Sequence, residues 1–260
     1  LKTRRWQITI VAVVIIASLA SYGLYETFFK PPPPPMRLIV SKNAEADTLD
    51  PALSGMIEAG RVYQTVFDSY LTWDLNNELH PWLAESWEWS PDMKTLTLSL
   101  RRDVKFHCGR PFNATVLKYS LDRIMDPATR SYAAAQLAEV DKVEILETYK
   151  VAIRLKAPNR FFLGYLTGGA IGSPVCPYHA ERLGKDFGTS GPCGTGPFKF
   201  KEWRRDDYVA LVKNKDYNWA PKFTKHTGPA KLDELIFRVI PEDVTRVSDL
   251  RTPGGAHMVT

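Results

Sequence analysis

A mixed α/β fold is predicted from two observations: strand and helix patterns are interspersed along the chain, and several strand pairs are separated by short turns. The clearest strand is Thr95–Leu100, in which leucine alternates with threonine or serine, so that one face is buried. It lies between a turn at Ser90–Asp92 and a turn at Cys108–Pro111. A helix is predicted to begin at the N-cap Asn113, because apolar residues recur on one of its sides. These residues are Val116, Leu117, Leu121 and Ile124.

The other predicted elements belong to the same fold class, since they include two hairpins as well as isolated helices. In chain order they are a core strand Met36–Ser41, an amphipathic helix Gly60–Leu71, a hairpin of Val140–Leu146 with Lys150–Lys156, a hairpin of Phe198–Trp203 with Tyr208–Lys213 turned by Arg204–Asp207, a strand Leu235–Ile240 and a helix Glu242–Leu250. The acidic first turn of the last helix suits the positive end of a helix dipole.

The first 30 residues are predicted to lie in a membrane. A basic stretch, Lys2–Arg5, precedes a run without charged residues, Trp6–Tyr25, and such a run can cross a hydrocarbon core of about 30 Å. Basic residues before the run place that end in the cytoplasm. We expect residues 1–30 to be an uncleaved anchor. A signal peptide cleaved at a small-residue site such as Ser18–Ala20 is the alternative.

Pro31–Pro35 follows this segment and predicts a stalk. Consecutive prolines adopt the polyproline II conformation, which rises about 3.1 Å per residue and acts as a semi-rigid spacer. We expect this stalk to hold residues 36–260, the folded domain, away from the membrane surface. A docking motif for a proline-binding module is the alternative, but it would have little use outside the cell.

Charge and motifs exclude several functions. The net charge is +5, but much of it comes from the N-terminal flank, and no cluster of Lys and Arg indicates nucleic-acid binding. No hydrolase or paired-carboxylate motif is visible, so no enzyme activity is expected. The glycine clusters Gly168–Gly172 and Gly194–Gly196 complete no nucleotide-binding motif. We interpret the first as a loop lining a cleft or a plain turn, and the second as a tight path into the next strand.

The cysteines allow three interpretations, namely a disulfide, free thiols and a zinc site. Cys176 and Cys193 are separated by a short loop, and in an oxidising compartment we expect them to form a disulfide. The alternative is a zinc site that uses Cys176, His179 and Cys193 with His226. A Cys-x-x-His spacing alone is a weak signal, so no metal or cofactor is expected. Cys108 would remain as an unpaired thiol in a turn.

Five motifs occur in a characteristic order. They are Leu49-Asp50-Pro51, the segment Pro81–Trp87 that ends in LAESW, the segment Leu100–Phe112 with VKFH and PF, Gly194–Pro197 (GTGP) and Lys213–Tyr217 (KN-x-x-Y). In these motifs the chain resembles the peptide/nickel class of ABC-transporter solute-binding proteins, extracellular family 5. The resemblance covers roughly residues 37–250. Cys108 departs from it, because the family usually has Asp at this position.

The resemblance implies lobe one of a periplasmic-binding-protein-like fold, with mixed sheets and hairpins. The family's chains are longer, so we expect this chain to be a fragment or truncated product without its second lobe. Relatives contact their ligand just after the LDP motif and near residue 132, which implies Ser54, Gly55, Met56 and Tyr132 as ligand-binding residues. Trp82, Trp87 and Trp89 are interpreted as core residues.

The implied function is the capture of a solute at the extracytoplasmic face of the membrane and its delivery to an ABC permease. Oligopeptides or dipeptides are the expected ligands, and nickel complexes, haem or oligosaccharides are less common ligands of such proteins. If the N-terminal segment is cleaved, the protein would instead be secreted. A membrane-tethered sensory or adhesion module with the same fold is the alternative function.

Overall fold

A computed structural model describes residues 34–260 together with Ser18 and Ser21. Almost all of the predicted anchor and most of the predicted stalk therefore lie outside the described residues. Residues 36–260 form one compact unit. Within the described part of the chain, no helix combines the length and the apolar character that crossing a membrane requires.

Strands and short helices alternate along this unit. The strands are β1 (Arg37–Lys42), β2 (Leu71–Trp73), β3 (Leu79–Pro81), β4 (Ala84–Trp89), β5 (Thr95–Leu100), β6 (Val140–Glu147), β7 (Lys150–Leu155), β8 (Phe198–Arg204), β9 (Tyr208–Lys213), β10 (Glu234–Val239) and β11 (Met258–Val259). The α-helices are α1 (Ile57–Val66), α2 (Ala114–Met125), α3 (Phe162–Tyr165), α4 (Gly169–Gly172), α5 (Pro177–Leu183), α6 (Phe187–Ser190) and α7 (Asp243–Asp249). The predicted mixed α/β class is confirmed.

The first sheet has five strands in the order β11-β1-β10-β9-β8. One side of it is parallel, because β1 pairs with both β10 and the edge strand β11 in that sense. The rest is antiparallel, and β8 and β9 form the predicted hairpin. The turn between them places Asp206 at a φ of 58°, a left-handed conformation that Asp tolerates better than most residues.

The second sheet has four antiparallel strands in the order β4-β5-β7-β6. The leucines of β5 are buried as predicted, and β6 and β7 form the predicted hairpin. Helix α2 packs its apolar side into the core that also receives these leucines. Its N-cap is confirmed, since the Asn113 side chain accepts a hydrogen bond from the Val116 amide at 3.3 Å.

The predicted helix Gly60–Leu71 is wrong in its bounds. The structure has helix Ile57–Val66, and the chain is extended from Phe67, whose amide still bonds to the carbonyl of Tyr63. The helix ends there because the Val66 carbonyl accepts a hydrogen bond from the Gly196 amide at 2.9 Å instead of from a next helical turn. Leu71 then begins β2, opposite Pro81.

Candidate functional site

The loop before α1 contains three of the predicted ligand-binding residues. Ser54 is fully buried, and its hydroxyl donates to the Asp47 carboxylate at 2.5 Å and accepts from the Met56 amide at 3.2 Å. These two hydrogen bonds of the Ser54 side chain therefore stabilise the conformation of the loop. Gly55 and Met56 are exposed, and within the described residues the Gly55 amide donates no hydrogen bond. That amide is free to bind an acceptor from a ligand.

Tyr132, the fourth predicted ligand-binding residue, lies directly over this loop. A Cβ atom at Gly55 would lie 3.3 Å from the Tyr132 ring, so glycine is what allows the ring to approach the backbone. On the other side, the Tyr132 hydroxyl is 3.7 Å from the corresponding position at Gly169, whose φ is +61°. The neighbouring Ser131 hydroxyl donates to the Ala52 carbonyl at 2.6 Å and fixes the segment to the loop.

Four residues thus form one surface, which we call the Tyr132 face: Gly55, Met56, Tyr132 and Gly169. Its two large side chains are unusually accessible, with Met56 42% and Tyr132 46% exposed. An exposed aromatic ring over a loop that also carries an exposed thioether and a backbone amide without a partner among the described residues suits a ligand with both apolar and main-chain-like polar groups. The structure therefore brings Gly55 and Tyr132 together with Gly169, which begins the short helix α4 in the segment interpreted as a cleft-lining loop or a turn. Met56 follows Gly55 in the same loop, and Ser54 lies buried in it.

Asp50 of the LDP motif fixes the base of the same loop. Its carboxylate is buried and accepts two hydrogen bonds from Arg123 of α2, at 2.9 and 2.5 Å. It also accepts from the Ala52 amide at 3.1 Å. A buried carboxylate needs such a partner, because the loss of its hydration is costly. This motif residue therefore positions the Tyr132 face without being part of it.

The GTGP and KN-x-x-Y motifs meet at a buried carboxylate that the sequence did not single out. Asp68 accepts hydrogen bonds from the Trp219 indole at 2.8 Å, the Thr195 hydroxyl at 2.9 Å and the Tyr217 hydroxyl at 3.2 Å. Burial raises the pKa of Asp68 to about 6, although these hydrogen bonds oppose the shift. The sequence around Asp68 does not indicate a buried, hydrogen-bonded carboxylate, because the three residues that donate to it lie more than 100 residues away.

The tryptophan interpretation holds for two of three residues. Trp87 and Trp89 pack against the core. Trp82 instead lines a cavity of about 340 Å³ together with His80, Arg101 and Phe223. The residue pattern of a strand does not distinguish a tryptophan in the core from one that lines a cavity. Part of the wall of this cavity comes from residues near 221, far from Trp82 in the sequence.

The predicted disulfide between Cys176 and Cys193 is not formed in the structure, where all three cysteines are free thiols. A third sulfur adjoins the predicted pair, since that of Cys108 lies 3.6 Å from the Cys176 sulfur. A hydrogen bond with Cys193 lowers the pKa of the Cys176 thiol, and the same contact raises that of Cys193. His179 joins this cluster, whereas His226 does not.

Two solved structures that share this fold were determined with bound ligands. NikZ from Campylobacter jejuni, in complex with Ni(L-His), is 29% identical with a TM-score of 0.73, and the match covers 84% of this chain and 42% of NikZ. The periplasmic binding protein DppA from Helicobacter pylori, in complex with the peptide STSA, is 29% identical with a TM-score of 0.72, covering 84% of this chain and 45% of DppA.

A relative found by sequence similarity is also named as a binding protein. The glutathione-binding protein GsiB of Escherichia coli K12 is 31% identical over 215 residues, which are 83% of this chain and 40% of GsiB. The chain thus spans less than half the length of these relatives.

The fold and these similarities define the class as a solute-binding protein of the periplasmic type. The more particular assignment comes from the sequence profile of one family, whose middle region matches residues 78–259. The chain belongs to the bacterial extracellular solute-binding proteins, family 5.

Proposed function

We propose that this chain supplies one wall of the ligand cleft in the solute-binding component of an ABC importer, and that its ligands are dipeptides or oligopeptides. The Tyr132 face carries this proposal. It combines an exposed ring, an accessible Met56 side chain and an unpaired Gly55 amide. An amide donor can bind a peptide carbonyl whatever the side chain, and the ring can pack against varied apolar groups, which suits broad specificity.

The named relatives support this ligand class without fixing the ligand. DppA was solved with a peptide and GsiB is named for glutathione, whereas NikZ holds a nickel–histidine complex. A nickel complex of this kind would need metal-ligating or charged groups beside the ring. The Tyr132 face itself consists of glycine, methionine and tyrosine, which favours the peptide.

We expect the chain alone to bind peptides weakly, with Kd on the order of 1 mM. One wall leaves half of the ligand in water, whereas a closed cleft buries most of its surface. The measurement is NMR on the ¹⁵N-labelled full chain, titrated with a mixture of di- to pentapeptides. Amide shifts should concentrate at Gly55, Met56, Tyr132 and Gly169.

Two variants make this test specific. Tyr132→Ala should abolish the shifts, because the ring supplies most of the contact area. Tyr178→Ala is the matched control, since Tyr178 is 44% exposed and lies outside the Tyr132 face, and it should leave the shifts unchanged. Amide shifts at other residues, or micromolar affinity of the chain alone for peptides, would contradict the proposal that this chain supplies one wall of the cleft.

Neighbouring genes distinguish the two candidate functions. A permease gene and an ATPase gene beside this one would support transport, and a sensor-kinase gene would favour signalling.

The uncleaved N-terminal anchor is part of the same proposal. It rests on the charge-free run Trp6–Tyr25 and the prolines behind it, which would keep the domain near its permease. We expect the protein from a Sec-competent host to remain in the membrane fraction with residues 1–30 attached. N-terminal sequencing checks this, and a released chain beginning at or near Ser21 would show a signal peptide instead.

A further inference from the structure

Three cysteines and one histidine from distant parts of the sequence meet at one point of the domain. The sulfurs of Cys108, Cys176 and Cys193 and a ring nitrogen of His179 all lie within 4.8 Å of one another. The Cys108 and Cys176 sulfurs are 3.6 Å apart. The Cys176 sulfur is 3.8 Å from Nδ1 of His179.

These separations match a tetrahedral metal site. With Zn–S bonds of about 2.3 Å, two sulfurs at tetrahedral corners lie about 3.8 Å apart. A sulfur and an imidazole nitrogen about 2.0–2.1 Å from the same ion lie about 3.5 Å apart. The two measured distances differ from these values by a few tenths of an ångström. A disulfide, in contrast, would require two of the sulfurs to approach to about 2.05 Å.

The backbone holds the ligand-bearing segments together without an ion. The His107 amide donates to the Gly194 carbonyl at 2.9 Å, which places the turn with Cys108 beside Cys193. The Cys176 amide donates to the Cys193 carbonyl at 3.4 Å, and the His179 amide donates to the Cys176 carbonyl at 3.1 Å. The site is therefore pre-organised by hydrogen bonds of its own segments.

We propose that Cys108, Cys176, His179 and Cys193 bind one zinc ion. Three thiolates and one imidazole form a ligand set typical of structural zinc, with all four positions filled by the protein. Thiolates are also ligands that select zinc over the harder cations magnesium and calcium. The Cys-x-x-His spacing on the first turn of α5 supplies two ligands, and the other two come from separate loops.

The surrounding charge suits this ion. Zinc with three thiolates and a neutral imidazole carries a net charge of about −1. Next to the cluster is an open cavity of about 390 Å³ that is lined by both site residues and basic side chains, namely Arg182, Lys199 and Lys201. Lys199 and Lys201 also pair with Asp216 and Glu234, so Arg182 is the cation of this cavity whose charge is most available to offset the negative site. The zinc would then add a direct link between three chain segments that hydrogen bonds already hold together.

The experiment uses the full chain, purified with a non-thiol reductant and without added metal, then titrated with Zn²⁺. We expect one zinc per chain by native mass spectrometry. With Co²⁺ in its place, we expect a thiolate-to-cobalt charge-transfer band and intense visible bands of a tetrahedral site. Zinc removal with a chelator should lower the Tm, since the ion binds only the folded site.

Ligand variants separate this site from adventitious binding. Cys108→Ser and His179→Asn should each weaken zinc binding by more than about 100-fold, because changes to residues that merely support a metal ligand already cost 10–100-fold. Cys108 is exposed, so its variant should remain folded, which circular dichroism checks. His226→Ala is the matched control, because His226 lies outside the cluster, and it should bind zinc as the unaltered chain does.

Two results would overturn the proposal. The first is equal zinc affinity for His179→Asn, Cys108→Ser and the unaltered chain. The second concerns protein isolated from the extracytoplasmic compartment without reductant. It is a Cys176–Cys193 or Cys108–Cys176 disulfide in most molecules, with one thiol left for alkylation and no bound zinc. This result would show that the cysteines form a disulfide in that compartment and do not bind zinc. Three thiols protected from alkylation until a chelator is added would support zinc.

Discussion

Replacing Gly194 with alanine should destabilise the domain by about 3 kcal/mol or more, because overpacking a rigid site typically costs 1–3 kcal/mol and sometimes exceeds that range. A Cβ atom at this position would overlap the backbone carbonyl oxygen of Val66 and approach the Phe67 ring to 2.8 Å. The carbonyl cannot move away freely, since it already accepts a hydrogen bond from the Gly196 amide.

Urea unfolding of the full chain measures this effect as a lower midpoint with an unchanged slope. The matched control is Gly164→Ala, where a Cβ would meet nothing within 4 Å. Gly164 lies in α3 at an ordinary backbone conformation, so alanine there should be neutral or stabilise by up to about 1 kcal/mol. Equal midpoints for the two variants would show that the GTGP segment does not pack tightly on the end of α1.

The Asp68→Ala variant should also lose about 3 kcal/mol or more at neutral pH. It leaves two buried donors without this acceptor, the hydroxyls of Thr195 and Tyr217, while the Trp219 indole still donates to the Thr195 carbonyl at 3.1 Å. Each unsatisfied donor costs about 1–3 kcal/mol. Asp92→Ala is the control, because Asp92 is an exposed carboxylate that also accepts hydrogen bonds. Its effect on stability should be small, because the exposed carboxylate remains hydrated.

The pH dependence gives a second readout of Asp68. Its pKa is raised from 3.8 to about 6 in the folded protein, so the folded state holds the proton more tightly than the unfolded state. The stability advantage of the unaltered chain over Asp68→Ala is therefore largest below pH 3.8. It decreases as the pH rises through 6, by up to about 3 kcal/mol, to the value expected at neutral pH. The exposed Asp92 has a lowered pKa, so its variant should show the opposite sign. A pH-independent difference for Asp68→Ala would contradict its burial as described.

Local patterns in the sequence were sufficient for most of the fold. The alternation in Thr95–Leu100 and the N-cap at Asn113 each depend on neighbouring residues alone, and both are confirmed. The end of α1 was misplaced because it depends on the Gly196 amide, 130 residues downstream of Val66. An apolar pattern continues through Phe67 and Leu71, and only a distant contact determines where the helix stops.

The candidate sites were likewise predicted only in part. The resemblance pointed to Gly55 and Tyr132, and the structure brings them into contact. The approach of Cys108 to Cys176 and Cys193 was not foreseen, because it follows from the hydrogen bond between His107 and Gly194. Cysteine spacing within one segment carries no information about a sulfur 68 residues away. His226 was considered because of its residue type, and its position excludes it from the cluster.

The parallel pairing of β1 has a consequence for how this chain acquires its structure. Arg37 is paired with Glu234, so 197 residues of chain separate the two partners. At a synthesis rate of about 5–20 residues per second, β1 would wait roughly 10–40 s for its neighbour. The sheet β4-β5-β7-β6 closes within a much shorter stretch and can assemble first. During that interval the edges of β1 remain open to pairing with other chains, so this strand is the part of the sheet most exposed to aggregation.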